Sequence, residues 1–109
     1  MKLLPSLKQK KRYVVFEIVS KEKFSLQEIK KAVQEALLLF LGQLGLAKAS
    51  PMFIKAKGNR FMLKVNHKWT DELITAMVLM KKIKNKEVIA KSVIISGTIK
   101  KADNHMRGV

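Results

Sequence analysis

Apolar residues recur along this chain with two alternating periods. Between Arg12 and Ser20, Val14, Phe16 and Ile18 fall on one side, and Tyr13, Val15, Glu17 and Val19 on the other. A period of two marks a strand, and two largely apolar faces mark one in the middle of a sheet. The period then lengthens. Ser25-Leu26-Gln27-Glu28 has the form of a capping box, in which the serine hydroxyl and the glutamate carboxylate satisfy the first amides of a helix. Leu26, Ile29, Val33, Leu37, Phe40 and Leu44 follow at helical spacing, so a helix is predicted from Ser25 to about Leu44, stopped by glycine between Gly42 and Gly45. Phe40 is then a core residue, and its truncation to alanine is expected to cost about 3–5 kcal/mol.

Met52–Lys57 and Arg60–Asn66 alternate again, on either side of Gly58-Asn59, a dipeptide suited to a tight hairpin. Met52, Ile54 and Ala56 oppose Phe53, Lys55 and Lys57; Phe61, Leu63 and Val65 oppose Met62, Lys64 and Asn66. One apolar and one mixed face suit a sheet covered on one side. Thr70 is the expected N-cap of a second helix, with Asp71 and Glu72 at the positive end of its dipole. Leu73, Ala76, Met77, Met80 and Ile83 form its buried stripe, Lys81, Lys82 and Lys84 its basic end, and Asn85 its close. Glu87–Lys101 reads as a long strand, bent or bulged at Gly97. Residues 1–11 read as a basic arm, 12–101 as a single domain, and 102–109 as an exposed tail. The order strand, helix, strand, strand, helix, strand predicts an α+β, ferredoxin-like sandwich, with two helices on one face of an antiparallel sheet.

Charge changes the picture from fold to partner. Twenty-three lysines and arginines face eight acids among 109 residues, a formal charge of +15, while 48% hydrophobic residues suffice for a core. Residues 1–12 and 36–70 hold many cations and no acid. A lysine-rich surface tuned only for heat stability would match its lysines with glutamates. A membrane surface would call for a basic amphipathic helix, whereas these clusters lie around strands and loops. The longest wholly apolar run, Ala36–Leu41, is too short to span a bilayer, and no secretory signal is visible. A cytoplasmic protein with an anionic partner, nucleic acid, remains.

Candidate chemistry is sparse. Without cysteine there is no thiol nucleophile and no thiolate metal site. His67 and His105 have no metal-ligand spacing, no nucleophile elbow surrounds a serine, and Gly42-Gln43-Leu44-Gly45 lacks the Lys-Ser/Thr of a phosphate loop. We expect no catalytic residue, no metal and no cofactor. Folds of this class often bind RNA by stacking bases on aromatic residues of the central strands. Lys57-Gly58-Asn59-Arg60-Phe61-Met62-Leu63-Lys64-Val65 supplies cations and one phenylalanine, and Tyr13 is the other candidate ring. Phosphate and shape contacts to a structured RNA suit that deficit. The expected RNA-binding residues are Lys8, Lys10, Lys11, Arg12, Tyr13, Lys55, Lys57, Arg60, Lys64, Lys100 and Lys101. Leu38 and Leu39, and Ile74 and Val78, lie to the side of the buried helix stripes, so a protein interface is expected there.

Lys10-Lys11-Arg12-Tyr13-Val14-Val15-Phe16-Glu17, entered through Leu4-Pro5, resembles the first strand of the archaeal and eukaryotic ribonuclease P protein component 2 family. Ser96-Gly97-Thr98-Ile99-Lys100-Lys101 looks like that family's closing strand. The resemblance implies an RNA-binding, non-catalytic subunit of a ribonucleoprotein whose RNA removes the 5′ leader from precursor tRNA. It implies ribonuclease P RNA, precursor tRNA and a TIM-barrel protein subunit as partners. Self-association through the leucines is the other use of that surface, and a ribosomal or nucleoid packaging protein is the alternative function. Arg12 and Tyr13 match the motif. A terminal helix like that of some relatives is not expected in so short a tail.

Overall fold

A computed structural model describes residues 10–83 and 85–107; most of the predicted basic arm, residues 1–9, lies outside it. Strand β1 (Lys11–Val19) leads to α1 (Leu26–Ala49), the hairpin β2 (Met52–Lys57) and β3 (Arg60–Asn66), and α2 (Thr70–Leu79). A small hairpin, β4 (Lys82–Ile83) and β5 (Lys86–Glu87), precedes β6 (Ile89–Ser96) and α3 (Ile99–Arg107). The main sheet is antiparallel with strand order β2-β3-β1-β6, and β4 and β5 form a second, two-stranded sheet. This is the expected ferredoxin-like plan with a third helix added.

β1 is central because both of its faces have somewhere to go. Val14, Phe16 and Ile18 join Phe61, Leu63 and Val65 beneath α1 and α2. Phe61 stacks between Phe16 and Phe53, with ring centroids 5.3 and 6.0 Å apart. On the opposite face Val15 and Met62 are fully buried under Ala102 and Met106 of α3. The sheet is therefore covered on both sides. Residues 102–107 are a packed helix, where an exposed tail was expected, and β6 stops at Ser96 rather than continuing to Lys101.

Pairing of β2 with β3 shifts between Phe53 and Lys55. That bulge breaks the simple alternation of β2: Phe53 and Ala56 both reach the α1 side, Ile54 packs toward α3, and Met52 is exposed. The capping box at Ser25 is formed, with the Glu28 amide donating to Ser25 Oγ and the Ser25 amide to Glu28 Oε1.

The predicted stop of α1 becomes a kink. Gly42 adopts φ 72°, which redirects the axis, and the helix resumes to Ala49, ending on left-handed Ser50. Gly45 is buried, and a β-carbon there would lie 3.0 Å from Leu41 Cβ, a tight contact within α1, and at an ordinary 3.6 Å from the Trp69 ring. Ile29, Val33, Ala36 and Leu37 are buried, but Leu26, Phe40 and Leu44 are exposed. At 42% exposed, Phe40 is not a core residue, which corrects the expected cost of its truncation. By length and composition alone α1 could cross a membrane; its kink and its buried face instead match the core helix of a folded domain.

Thr70 begins α2 but does not cap it: its hydroxyl donates to the His67 carbonyl, while Asn66 Oδ1 accepts from the Lys68 amide to cap the short 3-10 turn before it. The helix ends at Leu79, so Lys81 and Lys82 lie beyond it. Asn85 makes a left-handed turn in the β4–β5 hairpin rather than closing the helix.

Candidate nucleic-acid interface

The sheet divides the predicted RNA-binding residues into two groups. Antiparallel pairing sets Lys11 opposite Asn66, Arg12 opposite Val65, and Tyr13 opposite both Lys64 and Ser96. The start of β1, the end of β3 and the end of β6 therefore meet at one end of the domain. Lys10 arrives there anchored through its carbonyl, which accepts from the His67 amide at 2.8 Å and lies 3.3 Å from His67 Nδ1. Arg12 Nη1 donates to the Lys11 carbonyl at 3.2 Å, and Lys64 Nζ stands 6.0 Å from the centre of the Tyr13 ring. Lys68 is exposed beside His67. Lys100 and Lys101 are exposed on the first turn of α3, a few residues after Ser96. Backbone pairing thus gathers Lys10, Lys11, Arg12, Tyr13 and Lys64, with His67 and Lys68 added, into one basic end.

The second group sits toward the other end of β1, at and beside the β2–β3 turn. Lys57 is exposed there. Lys55 forms an ion pair with Asp103 of α3. Arg60 approaches Glu17 at 3.4 Å and donates to the His105 carbonyl, while Lys91 approaches Glu17 at 3.4 Å from β6. Two of the three predicted cations in this group are thus engaged in holding α3 on the sheet. The sequence reading missed Asp103 and His105 as anchors, because both lay in what it took for a tail. Lys8 falls outside the described residues.

The face on which related folds stack bases is the face α3 occupies. Tyr13 is half-buried at its margin, and Val15 and Met62 beneath are shut off from solvent. The arrangement can hold phosphates at its basic end but offers no open aromatic platform on the described sheet.

Of the expected protein-interface residues, Leu38 and Leu39 are exposed, the latter by 76%, and Phe40 and Leu44 are exposed with them. Ile74 is half-buried against the main core, whereas Val78 is exposed and lines a groove beside the end of β1. The two α2 positions therefore do different things.

Residues 12–107 match the model of the Rpp14/Pop5 family. The chain is 41% identical over 101 residues to the ribonuclease P protein component 2 of Thermococcus kodakarensis, covering 91% of this chain and 84% of that relative. Identity to the component of the same name from Pyrococcus abyssi is 37%, over 91% and 86% of the two chains. A chain in the cryo-EM structure of yeast ribonuclease MRP shares the fold, with a TM-score of 0.69 and 12% identity over 93% of this chain and 94% of that one. The family match spans the whole sheet and all three helices, and on that basis the chain belongs to the Rpp14/Pop5 family, whose archaeal relatives are ribonuclease P protein component 2.

Proposed function

We infer that this chain works as an RNA-binding protein subunit of ribonuclease P, assisting the catalytic RNA in removing the 5′ leader from precursor tRNA. The observation that carries this reading is its 41% identity, over 91% of the chain, to a ribonuclease P protein component 2. The basic end supports it. Lys10, Lys11, Arg12, Lys64 and Lys68 meet where β1 starts, and cations so gathered neutralise phosphates and release their counterions. The chain contributes charge and position, and the cleavage chemistry belongs to the RNA. Its partners in this reading are ribonuclease P RNA, precursor tRNA and a TIM-barrel-type protein subunit that meets the exposed leucines of α1, all in the cytoplasm.

Reconstitution tests the reading. Added with a partner subunit to the cognate catalytic RNA, the chain should raise precursor-tRNA cleavage above that of the RNA alone. Cleavage that ignores the chain, or metal-dependent cleavage by the purified chain without RNA, would overturn it.

A further inference from the structure

A groove of about 1010 Å³ opens where β1 ends, β6 begins and α2 gives way to the β4–β5 hairpin. Its floor is aliphatic. Val19, Val78 and Ile89 line it, and Ile89 is 66% exposed. The β1–β6 register sets Val19 directly beside Ile89. The wall formed by the hairpin is tied down: Ser20 Oγ donates to the Glu87 carbonyl at 3.3 Å, and the Val88 amide to the Lys81 carbonyl at 2.9 Å. Lys21, Lys81, Lys82 and Lys86 form the rim with Glu22 and Glu87. Lys86 lies 3.5 Å from Glu22, which leaves Lys21, Lys81 and Lys82 without a carboxylate partner among the described residues.

We propose that this groove receives an extended segment of a protein partner that carries both carboxylates and aliphatic side chains. Aliphatic residues half open to water gain by being covered, and a rim richer in lysine selects acids around the covering side chain. Other occupants fit less well. The lining holds no aromatic ring or arginine on which a base could stack, and a nucleic-acid backbone held by the rim lysines would leave the exposed valines and isoleucine without an apolar cover. A second copy meeting this groove with its own groove would bring the same lysines against these lysines. The chain's own residues 1–9 carry Lys2 and Lys8 and no acid, so they are repelled too. The proposal is independent of the ribonuclease P reading, because it concerns the end of the sheet away from the gathered RNA-binding cations.

The test uses the full chain with isotope-labelled valine and isoleucine methyl groups. It is titrated with a short peptide alternating glutamate and leucine, with the same peptide bearing lysine for glutamate, and with oligouridylate. The glutamate peptide should shift the methyl signals of Val19, Val78 and Ile89 while leaving core Val14 and Val65 in place. Lys81→Glu combined with Lys82→Glu, at exposed positions, should weaken that binding about tenfold or more without changing the melting curve. Ile89→Asp should abolish it. The proposal is overturned if the glutamate peptide leaves those methyls unmoved, if the lysine peptide binds as well, or if oligouridylate shifts the same three residues.

Discussion

Met106 tests whether the third helix is part of the fold. It is 1% exposed and, with Ala102, covers Val15 and Met62, both fully buried. Truncating a buried methionine to alanine costs about 2–5 kcal/mol where the surroundings cannot collapse. The position of α3 sets a ceiling on that figure. The helix spans only nine residues and follows β6, an edge strand, so it can lift off while the sheet stays folded. The measured loss then cannot exceed the free energy of docking α3. Besides its two apolar anchors, the Lys55–Asp103 pair and the Arg60–His105 contact hold it, and Lys55 is 43% exposed, which limits such a pair to about 0–1 kcal/mol. Met106→Ala should therefore cost about 2 kcal/mol in urea unfolding followed by circular dichroism. Amide exchange should locate the loss. The Ala102 amide, bonded to the Thr98 carbonyl, should lose protection while those of Val14 to Phe16 keep theirs. Ile99→Ala, at a residue 46% exposed, should cost well under half as much. If Met106→Ala changes stability by less than about 0.5 kcal/mol and leaves α3 exchange untouched, α3 is not packed on the sheet and the account of the covered face fails.

Phe61→Ala, which empties the centre of the three-ring stack, should cost about 3–5 kcal/mol, and Phe40→Ala only about 1 kcal/mol, both read by urea unfolding. Neutralising Lys10, Lys11 and Arg12 together should flatten the salt dependence of RNA affinity between ~50 and ~200 mM salt. Neutralising Lys55 and Arg60 should instead first loosen α3, seen as faster amide exchange there without RNA. Leu38→Lys with Leu39→Lys should melt as the parent chain does yet fail to capture the partner subunit in a pull-down; an unfolded double variant would place these leucines in the core.

The sheet and the first turn of α1 were legible because local signals agreed with the tertiary result. A period of two, a Gly-Asn turn and a Ser-x-x-Glu box each act within a few residues. The misreadings fall where distant contacts decide. Two glycines near one helix end read as a stop, but Gly42 at φ 72° only turns the axis, and the helix resumes through buried Gly45 to Ala49. Phe40 kept helical spacing with Val33 and Leu37 but lies just before that kink and is left 42% exposed. The bulge in β2 likewise sends Phe53 to the face that strict alternation reserves for Met52 and Ile54.

For α3 a signal was present and was outweighed. Ile99, Ala102 and Met106 stand at helical spacing, yet Val93, Ile94 and Ile95 just before Gly97 extend a β-branched run that makes Thr98-Ile99 look like more strand. The bend at Gly97 ends that run, and the Thr98 hydroxyl accepts from the Lys101 amide at 3.4 Å as the helix starts. Among the candidate site residues, the β1 pattern put Lys10 to Tyr13 at the start of one strand, and strand pairing sets Lys64 beside them. It could not tell which cations were already engaged, because Asp103 reaches Lys55 only once α3 lies across the sheet, and Glu17 meets Arg60 only once β1 pairs with β3.

That division explains where the surplus charge goes. The chain has eight acids, and the structure gives most of them a task inside the domain. Glu28 closes the capping box, Asp71 and Glu72 lie in the first turn of α2, Glu17 faces Arg60 and Lys91, Glu22 faces Lys86, and Asp103 holds Lys55. Of these tasks, the ion pairs lie in the middle of the sheet or toward the end where the groove opens. Lys10, Arg12, Lys64 and Lys68 at the other end form no ion pair with these acids among the described residues. Self-repulsion there is a standing cost to the free domain, and a polyanion relieves it. Salt should therefore act with opposite signs on the two properties, screening repulsion within the free chain while competing with RNA for the same cations. The acids that fix α3 and the hairpin wall thus leave unbalanced charge in two places, on the rim of the groove and at the end where RNA contact is inferred.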